Sequence, residues 1–121
     1  MIVYRIQHIE SGLGPFWHMP QNNEVRHYLF SQEGPAKIPT PHQDMANLYG
    51  SKFLLGGDVF CGFTSHQQLR HAFNRRVRKV LKKYGFRIFK LDVEVIAVGE
   101  YQCVFRRSNP CIEEIKNDGV V

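Results

Sequence analysis

Between residues 69 and 98 the hydrophobic period changes from helical to extended across a single glycine. Leu69, Ala72, Phe73, Val77, Val80, Leu81 and Tyr84 fall on one stripe at helical spacing. Gly85 follows, and then Phe89, Leu91, Val93, Val95 and Ala97 alternate with Lys90, Asp92 and Glu94. A helix stripe and a strand face that both need cover, joined with no linker, commit the chain to helix packed on sheet. The helix is expected over about 66–84, capped by Thr64 or Ser65 with Gln67 or Gln68 three residues on, and closed by Gly85 in the left-handed conformation. Basic residues in its last turns suit the helix dipole. The strand is expected over 86–98, wet on its Lys90, Asp92 and Glu94 face, and "GEYQ" then turns the chain into a strand over 101–107. Residues 86 to about 107 thus read as a C-terminal hairpin.

The rest of the chain is shorter-ranged. "IVYRIQHI" alternates as a first strand, with Val3, Arg5 and Gln7 on one face and Ile2, Tyr4, Ile6 and His8 on the other. Gly and Pro mark 10–23 and 33–39 as loops, around a short helix in "NEVRHYLFSQ" capped by Asn22 or Asn23. Thr40-Pro41-His42-Gln43 has capping-box spacing with proline at the first helical position, so a helix is expected over 41–49, ending at Gly50. "KFLLGGDVFCGF" reads as one or two short strands broken at Gly56-Gly57. Asn109-Pro110 is expected to break the last strand, leaving a short helix or tail. The expected class is α+β: a small mixed or antiparallel sheet with one long basic amphipathic helix. At 121 residues and 43% apolar, the chain 1–121 is expected to form one domain around its own core.

Charge is concentrated in one place. Residues 66–90 hold nine Lys and Arg and no Asp or Glu, while the other 96 residues hold seven basic and eleven acidic side chains. The net charge of +5 is therefore a local feature, and a local positive face steers toward acidic surfaces or nucleic acid. On a continuous helix Gln67, Gln68, His71, Asn74, Arg75, Arg78, Lys79 and Lys82 form the outer face. Arg76 lies inside the apolar stripe, either snorkelling to the rim or pointing into a cleft. Arg75, Arg76, Arg78, Lys79, Lys82 and Lys83 are the candidates for partner or nucleic-acid contact. No RNA-binding or helix-turn-helix motif is present, and the aromatic residues sit on the apolar stripe, which disfavours base stacking.

Several classes are excluded or disfavoured. No window approaches 18 apolar residues, so no membrane span is expected, and the N-terminus lacks the pattern of a secretory signal. Cys61, Cys103 and Cys111 are odd in number without CxxC spacing, which points to three thiols in a reducing cytoplasm. His66 and His71 are separated by about 140° on a helix, and no Cys–His cluster has zinc spacing, so no metal is expected. Neither Cys61 nor Cys103 has a histidine partner at a nucleophile's spacing.

Taken in order, Tyr4-Arg5-Ile6-Gln7-His8, then Gly62-Phe63-Thr64-Ser65 ahead of a helix, the strand "FRIFKLDVEV" and the Gly-Glu-x-Gln turn form a set. That set resembles the ADP-ribosyltransferase fold. The resemblance implies NAD as substrate, with Arg5 or His8 seating it, Thr64 and Ser65 supporting the pocket, and Glu100 with Gln102 catalytic at the ribose. Gln102 stands where the family's key glutamate usually lies, and a glutamine cannot offer a negative charge to an oxocarbenium-like transition state. In general character the chain also resembles small bacteriophage and prophage proteins. That likeness implies a non-enzymatic inhibitor of host defence, including the anti-CRISPR type, that docks through the basic helix on a host protein or a nucleic-acid-binding complex in the host cytoplasm.

Overall fold

A computed structural model describes residues 1–12, 14, 41–45 and 59–115. In chain order its elements are β1 (Ile2–His8), α1 (Pro41–Asp44), β2 (Val59–Gly62), α2 (His66–Ala72), α3 (Arg75–Lys83), β3 (Phe86–Val98) and β4 (Cys103–Glu114). The four strands form an antiparallel sheet in the order β1-β3-β4-β2. The class is α+β, as the periods require.

The sheet curls until its two edges meet. Just beyond β2, Phe63 bridges back to Tyr4 of β1, with backbone N–H to C=O distances of 2.7 and 2.8 Å in the two directions. All four strands contribute to the concave face, where Val3, Leu91, Val93, Cys103 and Phe105 pack with Phe60, Phe89 and Val95. α2 and α3 cover the opposite face. There Leu69, Ala72, Phe73, Val77 and Leu81 bury Ile6, Phe63, Phe86 and Ile88. Met45, next to α1, packs with Ala97 and Val104 in a third cluster.

The structure differs from the expectation in four places. The long helix over 66–84 is two helices, because Asn74 leaves helical geometry and its Oδ1 accepts the Val77 N–H at 3.0 Å. An asparagine offers a backbone donor an alternative partner, which ends one helix and caps the next. β4 continues past Asn109-Pro110 to Glu114. The register jumps from Glu94–Arg106 to Asp92–Cys111, so the proline falls in an irregularity where the ladder asks for no N–H. A second register shift, between Val95 and Ala97, turns Ala97 away from the Phe89, Leu91, Val93 and Val95 face into the Met45 cluster. Finally, α1 ends at Asp44 with Met45 in a turn, whereas the expected helix runs on through residue 45; its remainder, 46–49, lies outside the described residues. The helix expected within 23–32 and the part of the strand reading over 52–58 lie outside the described residues. Gly85 is left-handed as expected, with φ of 91°.

Candidate functional site

The break at Asn74 resets the phase of α3. Arg75, Arg76, Lys79 and Lys83 are exposed along one arc, and Lys82 is half-buried at its border. Val77 and Leu81 face the sheet. Arg76, placed in the apolar stripe by a continuous wheel, is at the surface, and Arg78, placed outside, is 7% exposed. The Arg78 Nη1 donates to the Phe73 carbonyl at 2.8 Å, so it holds the last carbonyl before the break. Arg70 and His71 at the end of α2 are also exposed, and 59–90 carries no carboxylate. The result is a basic surface on two helices, in a stretch of sequence that carries no carboxylate of its own.

The residues expected to form a nucleotide site separate into three places. Arg5 lies on the concave face, 4% exposed, with its guanidinium over the Phe60 ring at 5.0 Å and Nη1 donating to the Cys61 carbonyl. His8 lies on the helix side. Its Nδ1 accepts the Glu10 N–H at 3.2 Å and its ring meets Phe86 edge-on. His8 pairs with Phe86 at the start of β3, whereas Glu100 follows the far end of that 13-residue strand.

Thr64, Ser65, Glu100 and Gln102 do come together. Ser65 caps α2 by accepting the Gln68 N–H at 3.1 Å, and Thr64 Oγ1 donates to Gln68 Oε1 at 3.0 Å. Gln68 Nε2 then donates to the Glu100 carbonyl at 3.2 Å. The turn is held from its other side by Asp44, whose carboxylate accepts the N–H groups of Glu100, Tyr101 and Gln102 at 2.9, 3.0 and 3.0 Å. Three successive amides around one anion form a nest. The carboxylate in this turn that is firmly held is therefore Asp44, while Glu100 is exposed and Gln102 is buried. The bonds from Asp44 and Gln68 to this turn were not legible in the sequence, because they span up to 58 and 32 residues.

A second concavity opens at the C-terminal end of α3. It has a volume of about 240 Å³ and a floor made by Ile6, Leu81, Phe86 and Ile88. Arg87 crosses its edge, donating to the Lys82 and Phe86 carbonyls at 2.8 and 2.9 Å and lying 3.7 Å from Glu114. Nothing in the sequence links Arg87 to Glu114, because β4 was expected to stop short of it.

The Cys103 thiol is pushed up to about 12 by burial, with Cys61 adding to the rise and a hydrogen bond from the Gly62 backbone opposing it. A thiol so reluctant to ionise makes a poor nucleophile. Among the described residues no cluster of three His, Cys, Asp or Glu side chains is placed to hold a metal ion. Among them, too, no helix is long and apolar enough to cross a membrane.

Comparison with known proteins places the chain in a family. A family model described as Bacteriophage T4 Y00F protein covers residues 1–117. No curated protein and no solved structure matches the chain.

Proposed function

We propose, from the premise that this chain belongs to the bacteriophage T4 Y00F protein family, that it is a non-enzymatic phage protein that docks on an acidic host surface. The role is that of a stoichiometric inhibitor of host defence, of which the anti-CRISPR type is one form. The observation that carries this reading is the arc of Arg75, Arg76, Lys79 and Lys83, exposed on α3 with no carboxylate between residues 59 and 90. Such a face raises the association rate with an acidic partner and suppresses wrong partners.

The test is charge reversal. Arg75→Glu, Lys79→Glu and Lys83→Glu together should abolish co-purification of the host partner bound by the wild-type protein, with the melting temperature unchanged. About 0.5 M salt should weaken the wild-type complex at least tenfold. Binding that survives both treatments rejects the docking face.

A second reading rests on the Gln68 bridge, which brings the Thr64 and Ser65 cap beside the Glu100 turn. In that reading the pair of loops is an ADP-ribosyltransferase-like pocket for NAD. Arg5 would have to release the Cys61 carbonyl to take part. NAD at a hundred times its dissociation constant would then stabilise the fold by about 2.7 kcal/mol. A flat thermal-shift titration ends this reading.

A further inference from the structure

We propose that the element docked on α3 is an acidic amphipathic helix of the partner, with a row of carboxylates beside a row of aliphatic side chains. This rests on the docking function above and adds the form and chemistry of what is recognised.

Two neighbouring rows on α3 carry it. Arg75, Lys79 and Lys83 recur every fourth residue and are all exposed. Successive members lie about 6 Å apart along the axis, so the row is about 12 Å long. The next row around the helix is Arg76, Val80 and Tyr84, spaced in the same way. Val80 and Tyr84 are half-buried, so each leaves part of its apolar surface on the outside of the helix. Val77 and Leu81, further round, belong to the core against the sheet. The start of α3 is fixed by the Asn74 cap and by Arg78 on the Phe73 carbonyl, so both rows are held in place before a partner arrives.

A cationic row beside a row that turns apolar selects the partner's backbone. An extended strand sends alternate side chains to opposite faces, so a single file meets its neighbour. A helix presents two files side by side, one at i and i+4 and the other at i+3 and i+7. Carboxylates on one file then meet Arg75, Lys79 and Lys83, while aliphatic groups on the other meet Val80. Helices pack by setting a ridge of one into a groove of the other, and here the groove runs between the two rows. A sugar-phosphate chain meets the cations and leaves Val80 uncovered. Tyr84 is a poor platform for a base, because its side chain packs against the core and the Lys83 ammonium lies over its ring, 6.0 Å from the centroid.

The experiment is an NMR titration of the ¹⁵N-labelled protein with two blocked peptides of about 16 residues, long enough to form a helix. One repeats Glu-Ala-Ala-Leu, which sets the leucine file beside the glutamate file. The other repeats Glu-Ala-Leu-Ala, which sets the leucines on the far side of the helix. A short single-stranded oligonucleotide is the third ligand. The first peptide should shift the amides of Lys79, Val80, Lys83 and Tyr84 and bind at least about fivefold tighter than the second. Lys79→Glu should weaken both peptides at least about fivefold. Val80→Ser should reduce the preference between them to less than about twofold, with the amide spectrum otherwise retained. Lys79 is exposed, so its variant keeps the test open if Val80→Ser fails to fold. Equal affinity for the two peptides, no shift of these amides by the first, or tighter binding of the oligonucleotide at them overturns the proposal. So does an unchanged affinity in both variants. If partner capture is lost in the Arg75, Lys79 and Lys83 triple variant while the two peptides bind alike, the docking face stands and the helical partner falls.

Discussion

Arg76 and Arg78 occupy the environments that a continuous helix would give to each other. A break of two residues at Phe73 and Asn74 moves every later side chain of α3 around the axis. Arg78 is thereby buried and tied to the Phe73 carbonyl, and Arg76 goes to the surface. Arg78→Ala should cost about 2 kcal/mol in urea unfolding, since a buried carbonyl loses a charged donor. Arg76→Ala should stay within about 0.5 kcal/mol. The reverse order would place the break elsewhere. Cys103 supplies a pH signature. Burial raises its thiol from the ordinary 9.0 to about 12, so the folded form stays protonated where the unfolded form ionises. The associated stability is fully present below pH 9.0 and is lost as pH rises through 12. Between about pH 8 and pH 10 the wild type should lose roughly 1 kcal/mol more than Cys103→Ala, measured by denaturant unfolding at both pH values.

At the scale of elements, α1 is one turn long, too short to persist alone. Two contacts anchor it: Met45 is fully buried against Ala97 and Val104, and Asp44 sits in the amide nest of the β3–β4 turn. The sequence showed the start of this helix through Thr40-Pro41-His42-Gln43. It did not show the destination of Asp44, because a bond across 56 residues leaves no local pattern. Asp44→Ala should destabilise the fold by about 2 kcal/mol. It should also speed hydrogen exchange at the Glu100, Tyr101 and Gln102 amides. Unchanged exchange there would mean the nest does not depend on this carboxylate. The same limit explains the candidate nucleotide residues. Thr64, Ser65 and the Glu100 turn are brought together by Gln68, whereas Arg5 and His8 point to opposite faces of β1. The alternation of β1 already separated those two faces, and the partners of each were not legible.

For the whole molecule, closure of the sheet is the defining step, and Gly62 makes it possible. A Cβ there would lie 2.6 Å from Val3 Cγ1 and 3.0 Å from the Tyr4 carbonyl oxygen. Gly62→Ala should therefore cost about 1–3 kcal/mol in chemical denaturation. Adding Val3→Ala should recover only part of that loss, because the side-chain clash is relieved and the backbone one remains. Full recovery would show that the strands are not drawn together at Tyr4 and Phe63. The apolar stripe from Leu69 to Tyr84, the alternation from Phe89 to Val95, a cap at Thr64 or Ser65, the left-handed Gly85 and the acid-free basic run were legible in the sequence alone. Each depends on neighbours within a few turns or pleats, where period and propensity act directly. The phase of α3, the burial of Arg5 and Arg78, the Asp44 nest and the joining of Tyr4 to Phe63 were decided only in the folded chain. Each joins groups through packing or bonds that local pattern does not encode, and their energies are realised only when the sheet curls and the helices settle on it.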